Sequence, residues 1–431
     1  YFKTLKMSLK TKVTSGALQF TVFISVIISF LLLGFLLLFY ANKKLKEQSK
    51  SIDEAKSINA SVFRYVINTP FTATDTTTLN LFFNDTYHTK VHASYWGAFQ
   101  KVWVSTNFRN KTVVNMALLG GKDQSLQSRL AICLQETYKP LMIVGSTNIM
   151  GKVKLPEQGL LPGAISGEGF FGGKLGITTT EKSDFKLPEL APHILTSFNY
   201  YLSEMPAILP ENRLQKGSVV YHQSFEKPIL WWYSSNEIIL NNVQITGNII
   251  IKSDTKIRVD KSCLLKDVIL VAPEIEISNQ VKGQFQAIAN KQINVGSECE
   301  LAYPSALVLV NDKSSGDFVN HAIPQKITVG EKSMVKGIVA YIKPDAEDIF
   351  SSSISIHKTA TVVGEVYCKS NLELSGKVVG SVYTRQFIVN QFGSVYINHL
   401  YHATIDALGL TPEYAGLLLE NKNKGLVKWL Y

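Results

Sequence analysis

Between Leu240 and Ile397 the apolar positions fall in short alternating pairs that recur at a fixed interval. Ile257-x-Val259 is followed 18 residues on by Ile275-x-Ile277, and 18 further by Ile293-x-Val295. Beyond an interruption, Ile354-x-Ile356 leads by the same step to Leu372-x-Leu374. Alternate side chains of a strand point to opposite faces, so each pair is an in-out-in fragment. Such a fragment is stable only if the next copy stacks on it about 4.8 Å away. A second series fits between the first: Val268-x-Leu270, Val308-x-Val310, Val339-x-Tyr341, Val366-x-Cys368 and Val382-x-Thr384. The pattern predicts a mainly β chain built around a right-handed parallel β-helix, a solenoid whose regular coils span 240–400. Segments 311–326 and 343–353 break the period and are expected to protrude as loops.

Upstream, the pattern changes twice. From Leu18 to Ala41 the chain carries no charge over 24 residues, long enough for a membrane-spanning helix at about 1.5 Å per residue. This apolar stretch exceeds a signal-peptide core and lacks an A-x-A site, which favours an uncleaved single-pass anchor. The sequence opens on Tyr1, so the start is expected at Met7 or upstream. Lysines flank the span on both sides, and the positive-inside rule gives no orientation. Over 42–69, Leu45, Ile52, Ile58, Val62 and Val66 recur at helical spacing opposite a polar face, predicting an amphipathic stalk that ends at Pro70.

A basic leader over 1–17, the Gly16-Ala17-Leu18 junction, an apolar helix and an amphipathic continuation resemble the N-terminus of type IV pilin-like proteins, minor pseudopilins in particular. The resemblance implies cleavage after Gly16, leaving Ala17 first, and packing of the helix among other subunits. The family's Glu five residues after the cut is Thr21 here.

Region 70–112 is dense in aromatics, Trp96 and Trp103 among them, and reads as a small cap on the first coil. The β pattern is expected to set in at Val113 and to run through 239, with a helical insertion near 190–202. Trp231, Trp232 and Tyr233 form a second aromatic cluster. With Trp96 and Trp103 they are candidate contacts for a partner or a glycan. Residues 401–431 are expected to cap the last coil with a closing strand.

Val363-Gly364-Glu365-Val366 and Val379-Gly380-Ser381-Val382 are nearly one phrase. This V-x-G-x-V repeat resembles the bactofilin family of polymer-forming β-helix proteins, which implies self-association.

Composition narrows the function. A net charge of +10 invites nucleic acid, but the lysines are scattered singly with no basic run, so no nucleic-acid partner is expected. Cys133, Cys263, Cys299 and Cys368 lack metal or disulfide spacing and read as small core side chains. No glycine cluster matches a phosphate loop. His92, His193, His222, His321, His357, His399 and His402 show no i,i+4 or HxH metal spacing among themselves and read as surface or helix-end residues. Among carboxylates, Asp254, Asp260, Asp267, Glu274 and Glu276 are the lyase or hydrolase candidates, but Arg258 and Arg385 lie on different coils. The expectation is therefore a protein that is not an enzyme and carries no cofactor. It would be a structural subunit of a bacterial cell-envelope assembly, held in the inner membrane with its large C-terminal domain exported. A membrane-tethered bactofilin-like scaffold is the alternative, and a surface protein that binds or cleaves polysaccharide is the third.

Overall fold

The computed structural model describes residues 15–69, 76–78, 87–108, 111–204, 219–311, 325–342, 351–420 and 422–430. The leader lysines, the stop at Pro70 and the two interruptions of the period, over 312–324 and 343–350, lie outside the described residues.

Helix α1 runs unbroken from Ser15 to Asn68, 54 residues, so span and stalk are one rod. Within its apolar half the hydroxyls of Thr21, Ser25 and Ser29 donate back to the carbonyls of Leu18, Val22 and Ser25. Each of these hydroxyls is thereby satisfied inside the helix, as a hydrocarbon environment requires.

The far end of α1 rests on an antiparallel sheet. Tyr87–Trp96, Phe99–Phe108 and Lys111–Lys122 pair as successive hairpins, and Asn423–Trp429 adds to the outer side of Lys111–Lys122. Alternation splits this sheet into two apolar faces. Val91, Ala93, Val102, Val104, Ala117 and Leu119 meet Val62, Phe63 and Val66 of α1. Trp96, Met116 and Leu118 face the other way, onto the main β body. Two expectations change here. Lys111–Lys122 is antiparallel, so the parallel region does not open at Val113. The last strand joins this sheet, where Leu426 and Trp429 find apolar cover from α1 and its neighbours, and does not close the last coil.

The main body is one closed arrangement of strands, parallel except where Ser394–Ile397 folds back on Lys377–Gln391. In its first ladder, Ile238, Ile257, Ile275, Ile293, Ile327, Ile354, Leu372 and Phe387 stack in register. The register steps between Ile293, Ile327 and Ile354 are 34 and 27 residues, and each contains one of the undescribed interruptions. Every pair singled out by the 18-residue interval sits on this ladder with its apolar residues inward. Its outward row, Arg258, Glu276, Asn294, Thr328, Ser355 and Glu373, is polar.

The second ladder is apolar on both faces. Val268, Leu307, Val339, Val366 and Val382 point into the core, while Ile269, Ile288, Val308, Ile338, Tyr367 and Tyr383 point out. Val308-x-Val310 is thus out of phase with its expected inward role; Leu307 and Leu309 take it. The outward row is buried because the antiparallel sheet, helix α2 (Pro192–Ser203) and Leu417–Leu419 cover it. Double-sided burial explains the continuous apolar runs 268–272, 305–310 and 337–342. The aromatic-rich region therefore shields a flank of the body, contacting strands from Ile250 to Tyr383.

Stacking order differs from chain order. Segment 130–182 does not stack before the strand at Val219. Ile132 pairs with Val382, Ile405 bridges Val378 to Ile149, and Leu175–Lys182 stacks beyond Ile149. The chain then returns along the covered flank, with the Pro188 carbonyl accepting from the Tyr367 hydroxyl (3.0 Å) and the Leu202 carbonyl from Lys252 (2.8 Å).

The repeated V-x-G-x-V phrase also has a physical cause. Gly337, Gly364 and Gly380 stack in register at φ of +140°, +142° and +143°. A Cβ on Gly364 would lie 2.0 Å from the Gly337 carbonyl oxygen, so the column admits only glycine.

Candidate functional site

The surface best suited to function is α1 together with the joints that fix it to the β body. From Leu18 to Tyr40 every apolar side chain of the helix is exposed. This is the one helix among the described residues long and apolar enough to cross a membrane. Gly16 and Ala17, the expected cleavage junction, lie in its exposed first turn.

The stalk positions divide. Leu45 is 63% exposed, Ile52 and Ile58 are half-buried, and Val62 and Val66 are fully buried. The buried ones pack on the chain's own sheet, leaving that stretch no apolar face for a second helix. Asn59 sets the register of docking. Its Nδ2 donates to the carbonyls of Val104 (3.0 Å) and Val113 (3.2 Å) and to the Thr106 hydroxyl (3.3 Å). Phe63 packs against Trp429, ring centroids 4.8 Å apart. Where the helix leaves the sheet, a groove of about 920 Å³ is lined by Tyr40, Lys43, Lys44, Lys50, Phe108 and Lys111 among others. A tyrosine and lysine collar of this kind suits the boundary between apolar and wet surroundings.

Three polar joints hold the sheet and α2 to the parallel body, and none was singled out by sequence reasoning. At the hairpin tip, Gln286 accepts from the Ala98 amide (2.8 Å) and donates to the Trp96 carbonyl (3.0 Å). At the end of α2, which has no basic residue in its last turn, Lys252 donates to the carbonyls of Tyr201, Leu202 and Glu204. Burial pushes the pKa of this lysine down. An ammonium there compensates the unsatisfied carbonyls and the negative end of the helix dipole.

The third joint is a buried charge cluster. Glu365, on the outward row of the second ladder, pairs with Lys422, and its other oxygen accepts from the Leu417 amide (2.6 Å). Lys422 also lies 3.5 Å from Asp123, which in turn sits 3.4 Å from Arg129. Arg129 donates to the carbonyls of Leu410 (2.7 Å) and Thr411 (3.0 Å). Side-chain exposure is 8% at Lys422 and 3% at Glu365. Burial, the largest influence, works against the ammonium, but Glu365, Tyr383 and Asp123 together outweigh it, and the Lys422 pKa is raised. Burial likewise raises the hydroxyl pKa of Tyr303, Tyr383 and Tyr414 around the cluster. The signal for this joint was present: Glu365 occupies a position that is apolar in most copies of its row.

The aromatic candidates scatter. Trp96 (1% exposed) is buried at the hairpin tip, edge-on to Phe225 at 5.3 Å. Trp232 (3% exposed) lies inside the body beneath Tyr221. These two hold the core and offer no face to a glycan. Trp103, Trp231 and Tyr233 are half-buried, and the Tyr233 hydroxyl donates to Asp254.

Four of the carboxylate candidates, Asp254 among them, are tied down individually, and Glu274 stands half-buried at the start of its strand. Glu276 meets Lys256 (2.5 Å) and Arg258 (3.5 Å), and the hydrogen bond from Lys256 holds its pKa below the usual range. Asp267 receives Lys428 at 2.6 Å, a further tie between the last strand and the flank. Asp260 accepts from the Ser262 amide and hydroxyl, which lower its pKa. Among the described residues no group of three or more His, Cys, Asp or Glu side chains could hold a metal ion. All four cysteines are free and buried, and burial pushes the Cys133 thiol up to about 11 and the Cys368 thiol to about 12.

Comparison with family models, with curated proteins and with solved structures returns no match for this chain.

Proposed function

We propose that the chain is a structural subunit of a bacterial cell-envelope assembly. Its apolar half-helix anchors it in the inner membrane and packs with other subunits, and its β body is a rigid docking surface. The body is read as a right-handed β-helix whose rungs are the stacked pairs of the two ladders. One observation carries the proposal: α1 is welded to its own sheet through Asn59, Val62, Phe63 and Val66, while every apolar side chain from Leu18 to Tyr40 is uncovered. A plain tether gains nothing from such a weld. A subunit that must transmit its orientation through the helix to a heavy body needs it, and this supports the pilin-like reading.

The test is crosslinking through the exposed half-helix. Leu33→Cys and Leu36→Cys would be introduced singly, the native thiols being buried. Oxidation in intact membranes should give crosslinked species, and a reporter active only outside the cytoplasm, fused after Tyr431, should be active. A monomer with no crosslinked partner after gentle extraction sinks the proposal.

A second reading, the bactofilin-like scaffold, is favoured by the rung at Val219–Gln223 and Ile238–Leu240. Among the described residues each pairs with a later strand alone, Val219–Gln223 with Val243–Gly247 and Ile238–Leu240 with Lys256–Val259, an edge suited to end-to-end stacking. A silent reporter together with filaments of the purified full chain would select it.

A further inference from the structure

At the end of the body opposite Val219, three side chains from distant parts of the chain converge. The Ser146 hydroxyl lies 3.0 Å from Nδ1 of His402. On the far side of the same ring, Nε2 lies 3.0 Å from an oxygen of Glu168. The other oxygen of Glu168 accepts from the Tyr401 hydroxyl. The Ser146 backbone amide also donates to Nδ1, at 3.2 Å. An amide N–H can only donate, so Nδ1 must be the unprotonated nitrogen, and the ring proton sits on Nε2, directed at Glu168. The hydroxyl therefore faces a lone pair, and the base faces a carboxylate fixed from behind by a tyrosine.

The backbone is shaped for this contact. Gly145 has φ +65°, and a Cβ there would fall 2.6 Å from the His402 ring. His402 itself is held at φ +52°, a strained conformation for a residue with a side chain. Thr147 pins the turn by donating to the carbonyls of Val144 (2.7 Å) and Leu400 (3.1 Å). The site is open, with the His402 side chain 38% exposed. Phe171, also exposed, stands edge-on to the imidazole at 6.4 Å and offers an apolar seat beside the hydroxyl.

We propose that Ser146, His402 and Glu168 form a nucleophile, base and acid relay that cleaves small uncharged acyl esters. Ser146 Oγ bonds to the ester carbonyl carbon as its proton passes to Nδ1 of His402. The bond to the alkoxy oxygen breaks, and the departing alcohol takes that proton from Nδ1. Water then repeats the sequence on the acyl-serine, its proton moving through Nδ1 to Ser146 as the carboxylic acid leaves. Glu168 is the positioning residue: it accepts from Nε2–H, holds the tautomer, and stabilises the imidazolium formed in each half. The activity is independent of how the chain assembles.

The experiment uses the full chain in detergent, with p-nitrophenyl acetate as substrate and a fluorophosphonate as covalent probe. Ser146 should be the labelled residue by peptide mass spectrometry, and Ser146→Ala should abolish labelling and reduce ester turnover to background. Glu168→Gln, which keeps the size and a hydrogen-bonding partner for Tyr401, should slow both labelling and turnover by about 10²-fold or more with circular dichroism unchanged. A folded wild-type protein whose Ser146 stays unmodified under excess probe overturns the proposal. So does a Glu168→Gln variant that labels at the wild-type rate. Either outcome would make the cluster a stitch between neighbouring rungs.

Discussion

Replacing Lys422 with methionine isolates the worth of the buried charge joint. The methionine fills the aliphatic stem but removes the ammonium. Glu365, 3% exposed, would keep only the Leu417 amide as a partner, and Asp123 would keep Arg129. Breaking a buried pair by removing one member strands the other, at a cost of about 3–5 kcal/mol. The double variant Lys422→Met with Glu365→Gln strands no charge, and the side-chain carbonyl that replaces the carboxylate could still accept from Leu417. It should recover at least half of the loss, since a buried pair is worth little against a neutral isostere. Urea unfolding followed by tryptophan emission reports this directly, because Trp96 and Trp232 are buried on opposite sides of the second ladder. With a slope of about 3 kcal/mol per molar urea, the single variant should lower the midpoint by roughly 1–2 M. A drop under about 0.3 M, or a double variant less stable than the single, would refute the reasoning.

Three other outcomes follow from the same geometry. Lys422 has a folded-state pKa above its unfolded value, and so do Tyr303, Tyr383 and Tyr414. Their contribution is complete below the unfolded values near pH 10 and is lost as pH rises above them, so stability should hold through neutrality and fall only beyond about pH 10. A spectrophotometric tyrosine titration should show these three ionising together with unfolding; gradual ionisation in folded protein would contradict the burial. Gly364→Ala places a Cβ 2.0 Å from a carbonyl oxygen at φ +142° and should cost at least about 1–3 kcal/mol, read as a lowered thermal midpoint. Phe63→Ala empties a fully buried site between α1 and Trp429 and should cost about 3–5 kcal/mol of helix docking, seen as proteolytic nicking within the stalk before the body is cut.

The first ladder was legible because only one of its faces is buried. Inward isoleucines and outward charges at Arg258, Glu276 and Glu373 print a period of two, and the 18-residue step is the length of chain between paired strands of the ladder. The second ladder was read one residue out of phase at Val308 because both its faces are apolar, and alternation carries no information there. Helix α1 was legible throughout, but not that Val62 and Val66 are satisfied within the chain: an amphipathic face does not say whose surface covers it. The stacking of 130–182 after 382 left no local trace, since parallel pairing depends on partners hundreds of residues away. Ser146, Glu168 and His402 were invisible for the same reason. They share no spacing, only a place.

The antiparallel sheet on which α1 rests is finished by Asn423–Trp429, a strand that leaves the ribosome long after the helix it supports. The helix, the part suited to enter a membrane, has to wait for the whole body before its own footing is complete. Trp429 against Phe63 is the last part of that footing to be made. A truncated or misfolded body cannot deliver that strand, so an incomplete chain would dock its helix on the three earlier strands alone, without the cover of Leu426 and Trp429.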